Sequence, residues 1–460
     1  MDGGVKVVLA LLSMGALGGA FPATGDPDVA GMAQKLGSPD LDPGARLLAA
    51  ADLSQAGSAA AVPLIGALRN GDAFVRRHAA RALGEIRESP AAGPLGELLR
   101  DRESPVRLAA ADALSRIGIP ALPALAAALL DPDPGARACA AGALGAIGDP
   151  RATEGLVAAL KDPEPDVRRE VIHALGRIRD PRAARPLADA LHDGEWRVRR
   201  YAAWALQQIG EPGESALIAA LADANVEVRR IAAKSLGDLK SEGAVPALSG
   251  ALQDLEPGVR RAAAEAAGQI GDPRAAAALA AALRDADRHV RGAAVDALGW
   301  VGGADAVGAI CGALGDPEPA VRGIAARSLG MLSDRGALEP LAAALRDPDA
   351  SVRGSAAQAL GRIADPRGVD LLLTAMREDA DVGVRQSAAG ALGEARDRRA
   401  IEPLIALLGS GDEEPVRKAA NQSLIRITGH AAFGWTGGMH RLWSEWWAAE
   451  GQRPSGERDG

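Results

Sequence analysis

An arginine returns every 30 to 32 residues along most of this chain: Arg46, Arg76, Arg107, Arg137, Arg168, Arg199, Arg229, Arg260, Arg291, Arg322, Arg353, Arg385 and Arg417. A fixed period of that length over thirteen units, about residues 26–428, constrains the fold more than any composition can, because each unit must take one supersecondary form and stack on the next.

Each unit reads as two helices. Four residues before every anchor arginine stands Asp, Glu or Asn, followed by Pro in five units (Pro43, Pro134, Pro165, Pro257, Pro319). That is N-cap and first-turn chemistry, with negative charge at the positive end of the helix dipole. Counting from the anchor, positions +3, +7 and +10 are small or aliphatic, as in Ala202, Leu206 and Ile209, which gives one apolar face at helical period. The Asp of "DPR" (Asp149, Asp180, Asp272, Asp365) caps the next helix, which carries patterns such as "PLADAL" at 186–191. Two short helices cannot bury both apolar faces alone, so the expected fold is all-α: a right-handed α-solenoid of about thirteen two-helix repeats. Position +8 is Gly in nine units. A glycine inside a helix is unfavourable by roughly 1 kcal/mol, so its recurrence predicts that a neighbouring helix passes too close for a side chain.

The unit D-x-x-P-x-V-R-x-x-A-A-x-A-L-G-x-I-G-D-P-R-A resembles the HEAT repeat, in the short bacterial form named after phycobilisome lyases. The resemblance covers nearly all of 26–428. It implies that the anchor arginines and the aspartates six residues before them (Asn70 and Gly411 being the exceptions) form a ladder along the stack. It also implies that the second helix of each repeat lines the concave side. Residues 429–450 resemble the Trp-rich ending of many such proteins: Trp443, Trp446 and Trp447 share one helix face and read as a cap on the open end. Residues 451–460 read as a disordered tail.

At the amino terminus, an apolar run from Val7 to about Leu17 precedes small residues, with Gly18 and Ala20 or Ala23 at a cleavage position. Residues 1–23 therefore read as a secretory signal and the protein as exported; a leader that is not cleaved, and a cytoplasmic protein, is the competing reading. The run is too short to span a bilayer. Cys139 and Cys311 fall more than five repeats apart, beyond the reach of a disulfide.

Function is less legible. A net charge of −8 weighs against general nucleic-acid binding, which needs a basic surface. No phosphate-binding loop, zinc-protease motif or paired cysteine motif is present, so no cofactor, metal or catalytic residue is expected. One stretch breaks the pattern. Position +1, solvent-facing, is Arg169, Arg200, Arg230 and Arg261 in repeats five to eight. Position +5 of the first three is His173, Trp204 and Lys234, and Tyr201 adjoins. Arginine with exposed aromatics is a frequent hot-spot composition, suited to an acidic peptide through bidentate contacts. The same row also reads as ordinary solvated surface, and His173 as a plain surface histidine. Gln207, where Gly usually stands, and Trp300 at +9 are further departures. The leading expectation is a monomeric, non-catalytic scaffold holding a protein or peptide partner. Against it stand a bilin lyase-like enzyme using the central groove and a HEAT-type nucleic-acid binder.

Overall fold

The computed structural model of the protein describes residues 28–430 and 438–450. The segment read as a leader (1–23) and the tail 451–460 lie outside them. All regular structure among the described residues is α-helix or short 3-10 helix, with no strand, and the helices pair into the expected solenoid repeats. None of these helices is long and apolar enough to cross a membrane. The chain forms two compact units, residues 1–174 and 175–460.

In all thirteen repeats the second helix begins three residues before its anchor arginine, as in Pro134–Ile147, Trp196–Ile209, Val226–Asp238, Pro257–Ile270, Arg288–Val301 and Pro319–Leu332. The aspartates at the cap position work as expected: Asp133 accepts from the Gly135 N–H at 3.0 Å and Asp287 from the His289 N–H at 2.7 Å. The glutamates do not. Glu103, Glu195, Glu256, Glu318 and Glu413 make no side-chain cap bond, because the extra methylene carries the carboxylate past the N–H groups it would have to meet. Their own backbone N–H is instead held by an aspartate two residues earlier, as Glu256 is by Asp254 and Glu318 by Asp316, each at 2.9 Å, or, for Glu413, by the adjoining Asp412.

That same aspartate receives the anchor arginine of the preceding repeat. Arg322 donates Nε and Nη2 to Asp347 at 2.6 and 2.8 Å, while its Nη1 reaches the backbone oxygens of Asp316 and Pro317. Both side chains are largely buried. Eight such two-pronged clamps lie within the two units, among the described residues. In the first unit they are Arg76–Asp101 and Arg137–Asp162. In the second they are Arg229–Asp254, Arg260–Asp285, Arg291–Asp316, Arg322–Asp347, Arg353–Asp379 and Arg385–Asp412. Asp412 moves one place along the loop to serve where Gly411 occupies the usual slot.

The +8 glycines sit where the second helices touch. A Cβ on Gly330 would lie 2.7 Å from the Cα of Ala359, and one on Gly145 2.6 Å from that of Ala174. Every clamped repeat has glycine at +8. Four repeats do not: the first has Ser54, the third Ser115, the sixth Gln207 and the thirteenth Ile425. In the third and sixth the following aspartate is taken by another side chain. Asp131 is taken by Arg100 rather than Arg107, and Asp223 by His192 rather than Arg199, at 3.0 Å. Arg100 and His192 occupy the same place, seven residues before their anchors. In these two repeats a side chain at +8 stands between two second helices, the anchor arginine leaves the following aspartate, and the −7 residue takes its place. In the first repeat, with Ser54 at +8, Arg46 reaches Asp72 with Nη2 alone while its Nε goes to the Leu36 backbone oxygen.

At the carboxyl end, the helix Met439–Glu450 lies against the last repeat. Trp443 is fully buried and donates its indole N–H to Asn421 Oδ1 at 2.7 Å, and Trp447 donates to Glu402 at 3.2 Å.

Candidate functional site: a groove along the second helices of repeats six to ten

Of the residues singled out from sequence, Arg169 and His173 lie in the first unit and the other six in the second. Arg169 is half-buried and bonded to Asp166 at 2.6 Å and Glu170 at 3.1 Å, which leaves it a locally neutralised side chain. Arg230 pairs with Glu227 and Arg261 with Glu265 on their own helices. Most of the basic row is therefore solvated ion pairs, worth little each.

Arg200 and Lys234 differ. Both are exposed and neither has a carboxylate partner among the described residues. Arg200 lies over the ring of Trp196, its guanidinium carbon 5.7 Å from the ring centre. Trp204, expected on the open surface, is half-buried: a Cβ on Gly176 would meet its ring at 2.6 Å, so the indole fills the space that this +8 glycine leaves. Tyr201 is partly exposed and does not line the groove.

Five of the singled-out residues, Arg200, Trp204, Arg230, Lys234 and Arg261, come together around a cavity of about 470 Å³ between repeats six and seven. Its remaining walls include Trp196, Arg199, Gln207 and Ser235, with Glu227, Asp238 and Glu265 as the acidic members. Gln207 donates to the backbone oxygen of Ser235 at 3.1 Å. This bond bridges two helices that approach less closely than their clamped neighbours in the same unit. Arg199 still donates Nη1 to the backbone oxygens of Asp193 and Gly194. Its Nε, which clamps a carboxylate in eight other repeats, is buried without a partner.

A second cavity of about 920 Å³ adjoins the first and shares Arg261 and Glu265 with it. It runs over repeats eight to ten and is more apolar, with Trp300, Ile324, Val321 and Ala293 among its lining. Trp300 is exposed over most of its surface. Two ion pairs flank it, Arg327–Asp296 at 2.9 Å and Arg288–Glu318 at 3.5 Å. Sequence reasoning weighed Trp300 alone here. The missed signal is at +1, where the arginine row ends after Arg261 and glycine, Gly292, stands in the wall of this cavity. Among the described residues no group of His, Cys, Asp and Glu is placed to hold a metal ion, and both cysteines are free thiols.

Stacked helix pairs, a recurring Arg–Asp clamp and a groove along one helix row define an α-solenoid repeat protein. The HEAT-repeat description matches residues 29–115, 92–162, 153–217, 214–290, 278–350 and 338–425, and the chain belongs to the HEAT-repeat family. A search of curated proteins finds no match. Among solved structures, Kap121p bound to Nup53p is similar with a TM-score of 0.61 at 15% identity, over 93% of this chain and 55% of that one. Kap121p bound to the extreme C-terminus of the protein phosphatase Cdc14p gives 0.61 at 14% identity, over 87% and 53%. A Kap95p structure concerning RanGDP gives 0.53 at 15% identity, over 87% and 67%. The chain spans about half the length of the Kap121p chains, and at this identity the likeness concerns the fold.

Proposed function

We propose that this protein is a non-catalytic scaffold or adaptor of the short-repeat type, whose groove over repeats six to ten holds an extended, acidic segment of a protein partner. The observation that carries the reading is the joining of two cavities at Arg261 and Glu265. One is polar and bears the unpaired cations Arg200 and Lys234, and the other is apolar around Trp300. An extended chain lying along them meets charge at one end and an apolar seat at the other, the division of labour by which peptide grooves obtain both orientation and affinity. Similar solenoids have been solved with protein segments bound. In the same reading the Trp443 helix caps the exposed end of the stack, and the protein acts as a monomer outside the cytoplasm.

The test is selection of a displayed random-peptide library on the full chain, followed by titration of the enriched peptides against Arg200→Glu/Lys234→Glu. Both substituted side chains are exposed, so the variant keeps its fold. A loss of at least about tenfold in affinity, one 1.4 kcal/mol step, is expected. Equal affinity for both proteins, or no enrichment, overturns the reading.

A further inference from the structure

The eight closed clamps show what the Nε–Nη2 edge of an anchor arginine binds in this fold: an aspartate carboxylate, at 2.6 to 3.3 Å, joined in Arg385 by a second from Glu413. Two anchor arginines have a buried Nε that donates to nothing, Arg199 and Arg417. Arg417 belongs to the thirteenth repeat and lines neither cavity of the groove. Arg199 has its aspartate, Asp223, but that carboxylate is held by His192. A buried donor without an acceptor is costly, and unlike Arg417 this one belongs to a side chain that lines a groove, beside two cations with no counter-ion.

We infer that the wedge between repeats six and seven is a carboxylate socket: the bound partner supplies the acidic group that Asp223 does not, and it is received by Arg199, Arg200 and Lys234. The inference rests on the peptide-groove reading above and names the group recognised. Charge agrees. Of the groove's ionised side chains, Arg230 is neutralised by Glu227 and Arg261 by Glu265. The remainder is Arg199, Arg200 and Lys234 against Asp238 alone. A planar guanidinium matches a planar carboxylate in two parallel bonds, the geometry that the clamps repeat along the stack. Gln207 is the residue that opens the socket, since glycine in its place is what accompanies a closed clamp everywhere else.

The experiment uses dodecapeptides enriched from a random library on the full chain, each remade with its Asp or Glu changed to Asn or Gln, and separately with an amidated C-terminus. Loss of one carboxylate is expected to weaken binding to the natural protein at least about tenfold, the size of a charge-assisted hydrogen-bond pair. If only amidation has this effect, the carboxylate is that of a chain terminus and the socket stands. In Gln207→Gly, and independently in Arg200→Gln/Lys234→Gln, the acid and amide forms are expected to bind within about twofold of each other. Peptides that bind the groove with no preference for acid over amide overturn the socket while leaving the peptide-groove reading intact. A chain that enriches no peptide overturns both.

Discussion

Gln207 reaches across to the backbone oxygen of Ser235 at 3.1 Å, through the slot in which the next repeat places Gly237 against the Cα of Ala266 at 2.8 Å from an added Cβ. One side chain thus decides whether two neighbouring second helices touch or are bridged. With contact comes the arginine–aspartate clamp; with the bridge comes a groove, an Arg199 Nε without a partner, and a His192–Asp223 pair.

Replacing Gln207 with glycine is expected to close this joint. In a crystal structure of Gln207→Gly, Asp223 should leave His192 and accept Nε and Nη2 of Arg199 at about 2.6–2.9 Å, the ordinary range for charge-assisted pairs. Persistence of the His192–Asp223 pair in the variant would show that the glycine follows the clamp and does not permit it.

Glycine's two roles in these helices separate in a matched pair. Gly330→Ala forces a Cβ to 2.7 Å from backbone and should destabilise by about 1–3 kcal/mol, as overpacked sites do. Gly390→Ala, also within a second helix but with nothing within 4 Å of the new Cβ, should stabilise by about 0.5–1 kcal/mol. Urea unfolding of the two variants checks both signs.

The clamps should outweigh the open joint in stability. Arg322→Leu strands the buried Asp347 carboxylate and is expected to cost about 3 kcal/mol. Arg199→Leu strands no carboxylate, because Asp223 keeps His192, and should cost less than half as much. Equal losses by denaturant titration would mean that the backbone contacts of these arginines, and not the clamps, hold the stack.

Acid acts in two stages, the first on a histidine of the first unit and the second on the clamp carboxylates. His78 is buried beside Arg77, Arg81 and Arg46, and burial first, then those cations, lowers its pKa from 6.5 to about 4. The folded state therefore keeps the ring neutral, accepting from Arg77 Nη2 at 3.0 Å, while the unfolded chain takes up a proton. Stability is full above pH 6.5 and falls by about 3 kcal/mol as pH drops to 4. In His78→Leu the slope of stability against pH between these values should flatten. The clamp carboxylates act lower. Hydrogen bonding to Arg322 holds Asp347 below its usual 3.8, so its contribution is present above that value and is lost as pH falls through the lowered pKa. For Asp412, held first by Arg385, that point is about 2.

Much of this was legible in the sequence because the repeat states each requirement many times. Thirteen anchors located every second helix to its first residue, and nine glycines at +8 announced close helix contact. The site was legible only in part. Which residues depart from the pattern could be read directly, and five of the eight singled out do line one cavity. What they do there depends on the register between helices, which no single repeat encodes. Trp204 looked like exposed aromatic surface until Gly176 was seen beneath it. The pairing of Arg230 with Glu227 and of Arg261 with Glu265 was within reach, since both pairs fall at helical spacing. The exchange at Asp223 was not, because it needs the −7 residue of one repeat and the +8 residue of the same repeat to act on the next.

Photo-crosslinking tests the groove most directly. With benzoylphenylalanine placed in turn at position 196, at position 300 and at position 255, a library-selected peptide should be captured at the first two sites, which line the groove. It should not be captured at the third, the exposed loop residue Leu255. Capture at 255 equal to or greater than that at 196 and 300 would contradict the account.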